Sequence, residues 1–84
     1  DDAEALLAGA LRIAPNHRPA RIDYIDVLVA RHKYAEAERE LAPLLAATPA
    51  DQRLRTLAGT ISVGLGRHDA AIAHYRALLD DMPV

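Results

Sequence analysis

The sequence predicts an all-α protein in which antiparallel helix hairpins stack into a solenoid, and three observations predict it. Alanine and leucine, the apolar residues that favour helices most, occupy 18 and 12 of the 84 positions. Five apolar segments of helix length alternate with turn residues. The third observation is an internal period of about 34 residues, a length typical of helical repeats.

This period recurs in four columns of the sequence. Pro15, Pro49 and Pro83 obey it, and the chain has only five prolines. The other columns are Ala3, Ala37 and Ala71; Leu7, Leu41 and Tyr75; and Leu11, Leu45 and Leu79. Four columns that agree across three copies are very improbable by chance, so the period is a property of the fold.

The first two helices are predicted at 1–14 and 18–31. Pro15 ends the first, because the residue before a proline avoids the α conformation, and Pro19 suits the first turn of the second. The apolar face of the first helix is Leu6, Leu7, Ala10, Leu11 and Ala14.

Three more helices are predicted at 35–47, 52–65 and 69–81. Asp51 is placed to cap the N-terminus of the fourth helix, and Gly66 suits the left-handed position after its end. The third helix contains Pro43, which removes one backbone hydrogen bond at a cost of roughly 3 kcal/mol in an isolated helix. We therefore expect a local bend near Arg39.

Within each period an alanine is followed four positions later by a large residue, and a proline stands eight positions after that. The residues are Ala37, Leu41 and Pro49, and then Ala71, Tyr75 and Pro83. This pattern resembles the second half of the tetratricopeptide repeat, whose signature ends in A-x3-F…P. Gly59 and Gly66 match its first-helix small position and its turn, whereas Arg21, Ile25, Arg55 and Ser62 depart from its usual residues.

The resemblance implies five helices in a right-handed superhelix. It divides the chain into the second helix of a partial repeat at 1–17 and two repeats at 18–51 and 52–84. We expect the chain to be a segment of a longer array.

In tetratricopeptide repeats the first helix of each repeat lines a concave groove that binds a peptide or a partner helix. Carried over to this sequence, the groove is Ile22, Asp26, Val29, Arg53, Thr56, Thr60 and Val63, with Pro19, Ala30 and Gly64 beside it. Helical spacing supports both groups. The alternative is that Ile22 and Val29 only pack on a neighbouring helix.

One use of such a groove is disfavoured. Repeats that clamp the acidic C-terminus of chaperones carry Lys and Asn at groove positions where this chain has Ile22, Asp26, Thr56 and Thr60. Asp26 would repel a carboxylate, and Arg53 alone is not a clamp. We therefore expect no binding of acidic C-terminal tails.

The sequence contains no candidate residues for catalysis or for binding a cofactor or a metal ion. The chain has no cysteine, and His17, His32, His68 and His74 lack metal-ligand spacing. The net charge is −2 and the chain has no basic stripe, which gives no support to nucleic-acid binding. The sequence also has no run of 18 apolar residues, so it predicts no membrane span. The sequence indicates a non-catalytic binding protein with no cofactor.

Two alternatives remain. The stretches 20–28, 55–57 and 69–79 resemble the repeat array that precedes a sulfotransferase domain in some bacterial proteins, which implies a segment that presents substrates or partners to a larger enzyme. Nine of the ten basic residues are arginine, which also hints at a bacterial source. The other alternative is self-assembly as a homo-oligomer, because both end helices carry uncapped apolar residues. These are Leu6, Leu7, Leu11, Ile72, Leu78 and Leu79.

Overall fold

A computed structural model describes residues 2–80 and contains five helices in that range. They are α1 (Asp2–Ile13), α2 (Arg18–Ala30), α3 (Tyr34–Ala47), α4 (Gln52–Gly64) and α5 (His68–Asp80). Each helix packs on the next, and α2 also meets α4. The predicted all-α array of helix hairpins is confirmed, and the described helix ends lie within one residue of the predicted ones. The predicted ends at Asp1, Asp81 and Pro83 lie outside the described residues.

The N-terminal caps of α2 and α4 occupy equivalent positions, one period apart. Asp51 caps α4 as predicted, since its Oδ1 accepts the Leu54 N–H at 3.1 Å. This bond, with the nearby Arg18 guanidinium, holds the pKa of Asp51 below its usual range. His17, which the sequence did not mark as a cap, caps α2 by accepting the Ala20 N–H on Nδ1 at 3.2 Å.

The C-terminal ends of α2 and α4 also repeat each other. Gly66 has φ 76°, and the following Arg67 N–H donates to the Ser62 carbonyl at 2.8 Å. His32 stands at the equivalent position with φ 60°, and the Lys33 N–H donates to the Leu28 carbonyl at 2.8 Å. Both ends are Schellman motifs, whose left-handed residue is usually glycine.

We expect His32→Gly to raise the free energy of unfolding by about 1 kcal/mol and Gly66→Ala to lower it by a similar amount, because only glycine adopts this conformation without strain. Urea denaturation followed by circular dichroism measures both. His32 also stacks on Tyr34 with ring centroids 5.6 Å apart. The control is His32→Asn, which removes the ring but keeps a side chain that tolerates positive φ. A loss of stability in His32→Gly that His32→Asn shares would mean that stacking outweighs strain.

The core lies between α2, α3 and α4. Its fully buried large side chains are Ile25, Leu28, Leu54 and Ile61. Ala37, Leu41, Leu44 and Ala58 complete the cluster. Ala37, which belongs to the alanine column of the sequence, is fully buried in this cluster.

The apolar residues of the end helices α1 and α5 are only partly exposed. Leu6, Ile13, Ile72 and Leu79 are 72%, 88%, 53% and 67% exposed. The prediction was wrong for Leu78, which is buried, and for Leu7 and Leu11, which are half-buried. The reason is that each end helix packs one face on its single neighbour, α2 or α4, and leaves only the opposite face open.

Candidate functional site

The seven predicted groove residues lie on α2 and α4. Each of these is the first helix of a predicted repeat, and the two helices are in direct contact. An ion pair connects the two helices at the surface, in which Arg53 Nη2 of α4 lies 2.5 Å from Asp26 Oδ2 of α2. Both side chains keep substantial exposure. Exposed pairs contribute on the order of 0–1 kcal/mol, so the main effect of this one is to neutralise the two charges on the face.

The apolar residues of this face are shared between the core and solvent. Ile22 and Val29 are half-buried and pack against the core cluster. Val63 is 49% exposed. Part of each Ile22 and Val29 side chain therefore packs on neighbouring residues, as the alternative interpretation expected. The rest of each side chain is exposed on the face that carries the ion pair.

The two threonines of α4 use their hydroxyl protons within their own helix. Thr56 Oγ1 donates to the Gln52 carbonyl at 2.8 Å, and Thr60 Oγ1 donates to the Thr56 carbonyl at 3.1 Å. Since its proton is used there, Thr60 Oγ1 accepts the hydroxyl of Tyr75 at 3.3 Å. The threonine oxygens therefore offer lone pairs, rather than protons, at this surface.

Tyr75 was not predicted as part of the groove. Its column identified it as a packing residue of the repeat, yet it is partly exposed and its hydroxyl reaches Thr60. The signal that could have found it is Gly59, on the partner helix of the same hairpin. A Cβ at Gly59 would lie 2.8 Å from Cε1 of the Tyr75 ring, so the missing side chain makes room for the tyrosine.

Gly64, predicted beside the groove, also makes room for a tyrosine ring. A Cβ at this residue would lie 2.5 Å from Cε1 of Tyr34, so Gly64 allows α4 to approach the first residue of α3. The glycine itself is exposed, and its place beside the groove stays a prediction.

The rest of residues 2–80 offers little reactive chemistry. In this range no group of three or more His, Asp or Glu side chains is placed to hold a metal ion. No helix of the described range is long and apolar enough to cross a membrane. The α2–α4 face presents two opposite charges, three apolar side chains and two acceptor hydroxyls.

Comparison with known proteins identifies one family. The sequence model described as tetratricopeptide repeat matches residues 1–61, which include α1, α2, α3 and most of α4. No curated protein and no solved structure matches the chain.

Proposed function

This chain belongs to the tetratricopeptide repeat family, whose members are protein–protein interaction modules and typically non-catalytic, and we propose that its α2–α4 face binds a peptide or helix of a partner protein. We call this face the groove, defined by Ile22, Asp26, Val29, Arg53, Thr56, Thr60 and Val63. The observation that carries the proposal is the half-exposed Val63, which shares the face with a neutralised ion pair.

The chemistry of the groove favours an uncharged ligand. Asp26 and Arg53 compensate each other, so an acidic or a basic segment must first separate them. The lone pairs of Thr56 Oγ1, and the one that Tyr75 leaves open on Thr60 Oγ1, suit N–H donors of the ligand. Partly apolar helices and strands that dock in grooves use this combination of apolar anchors and a few polar contacts.

A display library of random peptides, selected on the intact chain, tests the proposal. Val63→Glu is the disabling variant, because Val63 is exposed and lies outside the residues packed on the core. We expect selected peptides to bind Val63→Glu about tenfold or more weakly than the unmodified chain, a loss of about 1.4 kcal/mol in binding free energy. Ile22→Glu is unsuitable, because Ile22 also packs on the core.

Ala35→Glu, on the exposed side of α3, is the matched control. Peptides that bind Val63→Glu as well as the unmodified chain would place the binding surface elsewhere. A peptide with an acidic C-terminus is the negative probe, and saturable binding of it in fluorescence anisotropy would contradict the proposed preference.

Self-assembly through the end helices is the second candidate, favoured by the exposure of Leu6, Ile13 and Leu79. We expect the mass from light scattering to rise with concentration, and Leu79→Lys to reduce that rise. A monomer at every concentration would contradict it. Presentation of substrates to a larger enzyme such as a sulfotransferase gains no support from the family match, which covers the repeat alone.

A further inference from the structure

A cleft of about 200 Å³ opens between α3, α4 and α5. Helical spacing puts it on the opposite face of α4 from the groove, and the two share no residue. Leu41, Leu45, Ala58 and Ile61 form most of its apolar lining, and Glu38 and His74 supply polar groups. The cleft is therefore separate from the groove.

The first repeat shows what fills the equivalent place. Tyr24 stands one period before Ala58, and it is half-buried against the core cluster. Burial, and then the carboxylates of Glu40, Glu36 and Glu4, raise the pKa of the Tyr24 hydroxyl. The Tyr24 phenol therefore lies near carboxylates of both α1 and α3, in the position that Ala58 leaves open between α3 and α5.

The wall of the cleft repeats as well. Glu4 binds Lys33 at 2.8 Å, and one period later Glu38 pairs with Arg67. Leu41 and Leu45 correspond to Leu7 and Leu11. The α3 wall of the cleft thus repeats the wall that α1 forms beside Tyr24, and the aromatic ring is missing.

We propose that the cleft binds a tyrosine side chain supplied by a partner protein. The ring would pack on Leu41, Leu45 and Ile61, and the hydroxyl would face Glu38 and His74. An apolar cavity of about 150 Å³ is large enough for benzene, so the volume suffices for a phenol ring. A buried hydroxyl needs a hydrogen-bond partner, and the polar groups of the lining select tyrosine over phenylalanine.

Methyl-resolved NMR with N-acetyl-L-tyrosine amide tests the proposal. We expect saturable shifts of the Leu41, Leu45 and Ile61 methyl groups while those of Val29 and Val63 stay unchanged. The phenylalanine analogue should bind about threefold or more weakly, because it has no hydroxyl to donate to Glu38 or His74. Equal shifts across the whole protein, or equal affinity for the two compounds, would overturn the proposal.

Two variants close the cleft in different ways. Ala58→Tyr copies the residue of the first repeat, and we expect it to raise the melting temperature and abolish the shifts. Ala42→Leu fills the cleft from the exposed part of its lining. This variant tests the proposal alone if Ala58→Tyr folds poorly. Ala46→Leu, on the same helix but outside the lining, is its control and should bind normally. Shifts that persist in Ala42→Leu would place the compound elsewhere.

Discussion

We expect Ile25→Gly to lower the free energy of unfolding by about 3–5 kcal/mol, the largest loss of any single change considered. Ile25 is 0% exposed, and its removal leaves a cavity in the centre of the core. Glycine inside α2 adds a propensity penalty of roughly 1 kcal/mol relative to alanine. A domain of this length has a total stability of about 4–13 kcal/mol. A loss of this size is a large part of that total, and we expect the urea midpoint of the variant to fall accordingly.

A second change in the same hairpin should recover part of this loss. In the next repeat, the positions of Ile25 and Leu41 are occupied by Gly59 and Tyr75, and the tyrosine ring lies against the glycine. The combination of a small first-helix residue with a large second-helix one is thus already used in this molecule. The double variant Ile25→Gly/Leu41→Tyr copies it into the first repeat, where Asp26 stands at the position of Thr60 and can accept the new hydroxyl.

A double-mutant cycle in urea measures the compensation. We expect a coupling energy of about 1–3 kcal/mol, in the range found for residues in contact. Leu41→Tyr alone should be destabilising, because a larger side chain beside Ile25 overpacks the core. Strictly additive losses would show that the two positions do not share one space. Leu54→Ala, a fully buried change outside this pair, is the control for general core loss.

The helix boundaries were predictable because a period and local end signals agree. Pro15 and the Asp51 cap each mark an end by backbone chemistry that does not depend on the rest of the fold. The same reasoning found Gly66 but missed His32, which adopts the same left-handed conformation without being glycine. Tertiary and hydrogen-bonding context imposes that conformation, and composition alone gives no sign of it.

The surfaces were less predictable than the helices. Leu78 and Leu79 are neighbours in sequence, yet one is buried and the other 67% exposed, since consecutive helix residues point about 100° apart. The cleft depends on the difference in volume between Tyr24 and Ala58. Sequence comparison of the repeats shows that difference, but only the packing of α3, α4 and α5 shows that the space stays open.

Pro43 stands inside α3, a helix that continues from Tyr34 to Ala47, and the proline is exposed. It supplies no N–H to the Arg39 carbonyl, and its ring crowds that carbonyl. The bend near Arg39 stays a prediction. The equivalent position in α5 is Ala77, so the repeat itself accommodates alanine there.

We expect Pro43→Ala to raise the free energy of unfolding by about 2 kcal/mol. Restoring the hydrogen bond and the helix propensity gains roughly 3 kcal/mol, and the greater freedom of the unfolded chain without proline offsets about 0.4–1 kcal/mol of it. Ala77→Pro is the reciprocal change and should cost roughly 3 kcal/mol, because it removes the same backbone hydrogen bond and helix propensity from α5. Urea denaturation of both variants measures the effect. An unchanged midpoint in Pro43→Ala, alongside a large loss in Ala77→Pro, would mean that α3 has adapted its geometry to the proline, and the bend would then be an established part of the first hairpin.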